Sequence, residues 1–127
     1  MKRAAPDAWV RQCGRAMPWH RGLADRKGVV LDILSGRFRR QAQAAAVPTN
    51  PAFAGTYDFH PEADFPALFA SFLADLPDAG VIMCHPSMVD AELERLDPLT
   101  SLREREYEFL AGDKFAAAMT RHRTVLA

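Results

Sequence analysis

Of the four histidines in this chain, His85 stands where an imidazole can do chemistry. Gly80-Val81-Ile82-Met83-Cys84-His85-Pro86 is an apolar run that ends abruptly in His-Pro. Val81 to Cys84 are strand formers, Gly80 breaks whatever precedes them, and Pro86 cannot continue a ladder. The segment reads as a buried strand with a histidine at its C-terminal end. In parallel α/β sheets and barrels, that end is where ligands bind. An imidazole there can give or take a proton, because its unperturbed pKa of ~6.5 lets small shifts move it across neutral pH. The plain alternative is a histidine that closes a strand and hydrogen-bonds a loop carbonyl.

The other histidines have weaker cases. His20 lies in Pro18-Trp19-His20-Arg21 ahead of a helical stretch and reads as a partly exposed cap. His60 precedes Pro61 in a loop, and His122 sits between two arginines on what reads as a solvated face. No two histidines have the spacing of paired metal ligands. Phe53, Tyr57 and Phe59 form an aromatic-rich segment whose rings can either stack on the apolar face of a sugar or belong to the core. Arg103-Glu104-Arg105-Glu106 reads, taken alone, as a helix surface with ordinary ion pairs. Arg3, Arg11 and Arg15 either meet a polar substrate group or are solvated.

The elements that must position these groups follow from periodicity and breakers. Residues 21–46 form the longest helical candidate, with Leu23, Val30, Leu31, Leu34 and Phe38 on one face. Val47-Pro48-Thr49-Asn50-Pro51 ends it, since two prolines forbid continuation. A short strand is expected near the start of 52–59. Asp64 to Leu76 is the clearest helix: Asp64 caps it, Pro66 sits in the first turn, and Phe65, Leu68, Phe69, Phe72, Leu73 and Leu76 make an apolar stripe. A helical turn from Asp90 to Leu96 follows His-Pro. Thr100 or Ser101 is expected to cap the next helix, with Ser101 and Glu104 at capping-box spacing. That helix should end near Ala111-Gly112, and Asp113 should cap a last one through about Arg121. Strands alternating with helices argue for an α/β fold with parallel pairing.

Length and charge narrow the classes. The 127 residues fit one domain, residues 1–127, but fall short of the roughly 200 or more that a closed eight-stranded barrel needs. Sixteen basic and sixteen acidic side chains balance, so no global field recruits nucleic acid or an anionic membrane. No apolar run approaches the ~20 residues of a transmembrane helix, and no signal-peptide core follows Lys2-Arg3. Cys13 and Cys84 lie far apart in sequence, which fits free thiols in a reducing cytoplasm better than a disulfide.

Met83-Cys84-His85-Pro86, Asp90-Ala91-Glu92-Leu93 behind it, and Leu99-Thr100 leading into Arg103-Glu104 resemble the C-terminal part of YdjC-like deacetylases. These are the ChbG/HpnK family of metal-dependent carbohydrate N-deacetylases, and the hopanoid-associated HpnK-like branch looks closest. Ser87 departs from the glycine that usually follows His-Pro in that family. The resemblance implies a fold that is part of a distorted (β/α) barrel. It also implies hydrolysis of the acetamide of an N-acetylated amino sugar or glycolipid head group. That chemistry needs a polarised carbonyl, an activated water and a proton for the departing amine. The resemblance makes His85 the expected proton donor, Arg103 and Glu104 supporting residues, and Phe53 and Tyr57 candidate substrate contacts. Family members bind a divalent metal, Mg or Zn, through an Asp-Asp pair and a His-x-His motif. This chain has neither, so it is expected to be the C-terminal portion of such a domain and to bind no metal by itself. The alternative is a truncated, non-catalytic remnant or interaction module. A half-barrel leaves a sheet edge and an apolar flank open, which favours a homo-oligomer or an upstream partner chain.

Overall fold

The computed structural model describes residues 5, 7–16, 26–98 and 100–126. In chain order the elements are α1 (Arg26–Ala44), β1 (Phe53–Ala54), α2 (Phe65–Ala74), β2 (Val81–Ile82), α3 (Ala91–Leu96), α4 (Thr100–Ala111) and α5 (Asp113–Arg121). β1 and β2 pair in parallel, Phe53 opposite Val81 and Ala54 opposite Ile82. Parallel strands need a long crossover, and α2 lies in the connection between them. The fold is α/β in character. The chain divides into two compact units, one from Met1–Ala54 and Asp75–Ile82, the other from Gly55–Ala74 and Met83–Ala127.

In the first unit, side-chain amides take over where ladder bonds would run. Val10 bridges Thr49 in parallel, and Val10 N–H donates to Pro48 O. Beyond that point the buried amide of Asn50 donates to the carbonyls of Gln12 and Ala52, at 3.1 and 2.7 Å, and accepts from Gln12 N–H at 2.8 Å. The buried Gln12 amide donates to Asn50 O at 3.2 Å and accepts from Gly14 N–H at 2.5 Å. Backbone pairing resumes with Phe53 N–H to Gly14 O and Val81 N–H to Ala52 O. Every one of these buried polar groups therefore has a partner without a long strand.

The face of α1 differs from the sequence expectation. Of the expected apolar row, Val30, Leu34 and Phe38 are exposed, as is Ile33, and Leu31 is half-buried, whereas Ser35 and Ala42 are buried. Two contacts explain the rotation. Arg15 forks onto the Asp32 carboxylate at 2.7–2.9 Å, and the chain at Gly14 runs so close to Ser35 that an added β-carbon would lie 3.1 Å from the Ser35 Cβ. Only a small side chain fits at position 35. Residues 21–25 of the expected helix, Leu23 among them, lie outside the described residues.

The second unit is built on stacked aromatics. Phe65, Phe69, Phe109 and Phe115 from α2, α4 and α5 meet with ring centroids 5.2–6.2 Å apart, in tilted and edge-to-face pairs. Phe72, Leu73 and Leu102 complete the buried set. α3 starts where Asp90 caps it, its carboxylate accepting Leu93 N–H at 2.8 Å. α4 already includes Thr100 and Ser101, so neither is the flanking cap expected for it. α5 is preceded by Gly112, with Asp113 in its first turn as a charge that suits the helix dipole.

Candidate functional site around His85 and Glu106

Only Val81 and Ile82 of the apolar run join the ladder, both half-buried; Met83, Cys84 and His85 continue past it outside any regular element. Gly55 follows β1 with φ +103°, a left-handed conformation that costs glycine little. A β-carbon there would fall 2.1 Å from Met83 O, so the glycine permits segment 55–57 to run against segment 83–85. That close approach brings Tyr57 to the same place as His85.

The third contributor is α4. Leu102, Glu106 and Phe109 are its buried residues, at spacings of four and three that define one face. Two of them are apolar, and the third is a carboxylate only 1% exposed. A buried carboxylate requires partners, and Glu106 has them. Tyr57 O–H donates to Oε1 at 2.6 Å, and His85 N–H donates to Oε2. The imidazole Nδ1 lies 4.0 Å from Oε1 and is buried without a hydrogen-bond partner. Phe59 meets the imidazole edge to face, centroids 5.2 Å apart.

Arg103 and its backbone hold the same loop. The guanidinium donates to Asp97 Oδ2 through Nε and Nη2, at 3.1 and 2.5 Å, and Nη1 reaches His85 O at a long 3.4 Å. Ser87 N–H donates to Arg103 O at 3.2 Å. Phe59, His85, Leu102, Arg103 and Glu106 line a cavity of about 180 Å³. A larger open depression of about 590 Å³ lies elsewhere in this unit, along Asp64, Arg105, Glu108 and Lys114, and no histidine lines it.

Burial dominates the electrostatics and the Glu106 charge adds to it. Both push the Cys84 thiol up to about 11 from an ordinary 9.0. The Tyr57 phenol is also raised well above its ordinary 10.0, by burial first and then by its hydrogen bond to Glu106. Tyr57 thus stays a hydrogen-bond donor at neutral pH, spent on Glu106. The arrangement can orient an imidazole at the wall of a small cavity and move a proton through it.

The sequence candidates separate clearly. His85, Tyr57 and Arg103 come together here. Glu104 is exposed, about 200° around α4 from Glu106. Phe53 belongs to the other unit, where it is 2% exposed with the Arg11 guanidinium 5.6 Å from its ring centre. His60 is exposed, its Nδ1 accepting Glu62 N–H. His122 is half-buried at the end of α5, and His20 lies outside the described residues. Glu106, treated in the sequence as one charge of a surface run, is the residue that reading missed. Its signal was its place on the Leu102–Phe109 stripe.

Cys13 and Cys84 are free thiols. Among the described residues, no three His, Cys, Asp or Glu side chains converge as metal ligands would. The groups around His85 therefore do not fit a divalent ion. No described helix is long and apolar enough to cross a membrane.

No curated protein and no solved structure matches the chain. A family model described as YdjC-like protein does match, over residues 1–121. With that match spanning nearly the whole sequence, the chain belongs to the YdjC-like family.

Proposed function

We propose that this chain supplies the proton-donating part of a carbohydrate N-deacetylase that removes the acetyl group from an N-acetylated amino sugar or glycolipid head group. Family membership is consistent with carbohydrate deacetylase-type function. The observation that carries the residue assignment is His85 tied to the buried Glu106 carboxylate at the wall of a cavity of about 180 Å³. Pockets that enclose a whole small molecule hold ~300–1,000 Å³, so this one suits a single substituent of a larger substrate. When water adds to the acetamide carbonyl, the C–N bond breaks and the amine must leave with a proton. His85, as imidazolium, donates it, and Arg103 and the Ser87 amide hold the loop that carries His85.

A divalent metal, if residues outside this chain hold it, would supply Lewis-acid polarisation of the acetamide carbonyl. Because the chain contains neither an Asp-Asp pair nor a His-x-His motif, we place its ligands on a preceding segment. On this reading residues 1–127 are the C-terminal portion of one deacetylase domain, part of a distorted (β/α) barrel. We read the Met83-to-Pro86 and Arg103-Glu104 motifs as support for the HpnK-like branch. The test is acetate release from N-acetylated amino-sugar oligosaccharides with added Mg²⁺ or Zn²⁺, on the chain alone and on the chain extended by any upstream reading frame. Release from either supports the reading; no release from an extended protein carrying the Asp-Asp and His-x-His motifs sinks it.

A second reading is favoured by the exposed row Val30, Ile33, Leu34 and Phe38 on α1. In it the chain is a non-catalytic module that associates with a second copy through that apolar face.

A further inference from the structure

The unpaired ring nitrogen of His85 has a consequence that depends on Glu106. A neutral imidazole carries its proton on one nitrogen and a lone pair on the other. Nδ1 is buried without a partner, and Glu106 Oε1 lies 4.0 Å away. Oε2 accepts an N–H that can only donate, and Tyr57 donates to Oε1. Glu106 is therefore an acceptor at both oxygens, and an ionised carboxylate has about four lone-pair positions, so Oε1 has room for one more donor. A lone pair on Nδ1 would face this negative charge in a low-dielectric setting; an N–H there would face it favourably. Other groups near the imidazole do not compete. Arg103 is engaged by Asp97 and the His85 carbonyl, Cys84 holds its proton, and Phe59 presents only its ring.

We propose that Glu106 is a positioning residue for His85: its buried carboxylate selects the Nδ1–H tautomer and leaves Nε2 as the nitrogen that exchanges protons with a ligand in the cavity. A small rotation of the imidazole would shorten the 4.0 Å separation to a hydrogen bond and satisfy a buried donor that otherwise costs stability. The role given to Nε2 rests on reading His85 as the proton donor, but the tautomer does not.

The tautomer is read directly from long-range ¹H–¹⁵N correlations of the four imidazoles in histidine-labelled full-length chain, with His85 assigned by His85→Gln. The expected result is an Nδ1–H pattern for neutral His85, and a shift toward Nε2–H in Glu106→Gln with the amide spectrum otherwise retained. An Nε2–H pattern in the wild type overturns the proposal, and so does an unchanged pattern in a folded Glu106→Gln. Tyr57→Phe serves as a second variant should Glu106→Gln fail to fold. It frees a lone pair on Oε1, so the Nδ1–H form should persist, and its loss overturns the proposal. In protein that releases acetate, Glu106→Gln should lower kcat with KM little changed, by no more than the ~10²–10⁴-fold a positioned acid contributes. Absence of acetate release counts against the deacetylase reading alone, because the imidazole spectra decide the tautomer independently.

Discussion

At the scale of single residues, the site is a division of labour between a group that can move a proton and a group that cannot leave. His85 sits just past β2 with its side chain partly open, whereas Glu106 is buried on the helix face it shares with Leu102 and Phe109. Replacing each should therefore read out differently. In protein active on N-acetylated sugars, His85→Ala should lower kcat by ~10²–10⁴-fold, the usual contribution of a positioned acid. On the proposed function, metal affinity should barely change, because that reading puts the ligands outside this chain. Loss of bound metal with kcat preserved at saturating metal would make His85 a ligand instead. The histidine was legible from Val81-to-Pro86 because strand formers followed by proline are local signals. Glu106 was not, because its partners Tyr57 and His85 lie 49 and 21 residues away and no local rule pairs them.

At the scale of elements, the site depends on two extended segments passing each other just beyond the ends of β1 and β2. Gly55 is the position that allows it. Gly55→Ala would place a methyl group 2.1 Å from the Met83 carbonyl and force a non-glycine residue to φ +103°. The backbone conformation alone should cost about 1–3 kcal/mol, and the clash adds to it. Urea unfolding measures this, and a loss below about 1 kcal/mol would mean that the two segments part easily. The aromatic cluster at Phe65, Phe69, Phe109 and Phe115 is the firmer part of the frame, since α2 presents a stripe wide enough to be buried along most of its length. Asp90 and Asp97 act at the other side of the loop, one starting α3 and the other holding Arg103.

For the molecule as a whole, two protonation equilibria link stability to pH. Cys84 and Tyr57 both bind their protons more tightly in the folded protein than their ordinary values of 9.0 and 10.0 imply. Below pH 9.0 both groups are protonated folded or unfolded, and this contribution is complete. As pH rises from 9.0 toward about 11, the unfolded chain releases protons that the folded chain retains, so stability falls. The urea midpoint should decline through that window, and Cys84→Ser should flatten its lower part; a midpoint unchanged in the wild type would contradict the burial of both groups. The exposed row on α1 sets a second expectation. With Ile33 69% and Leu34 60% exposed, the chain should associate at micromolar concentration, and Ile33→Glu should shift it toward monomer in light scattering. A wild-type chain that stays monomeric would remove the ground for the interaction-module reading.

What the sequence determined by itself is what short-range physics controls. The prolines after Val47, the Asp64 and Pro66 start of α2, the α5 span to Arg121 and the strand start at Val81 are all decided by neighbours a few residues away. The expected buried strand up to His85, by contrast, shrinks to the half-buried pair Val81–Ile82. Tertiary structure decided which face turns inward. The sequence put an apolar row on one face of α1, yet Ser35 and Ala42 are its buried residues, and the chain at Gly14 approaches Ser35 too closely for a larger side chain there. Phe53 and Tyr57 look alike in sequence, but one is sealed in the strand and the other reaches the carboxylate. Glu104 and Glu106 differ only by about 200° of helix rotation, and that angle separates a solvated charge from one buried against His85. The amide ladder of Gln12 and Asn50 likewise has no local signature, because the bonds that join its two segments span 38 residues. Local propensity can name such residues; only the packed chain brings them together.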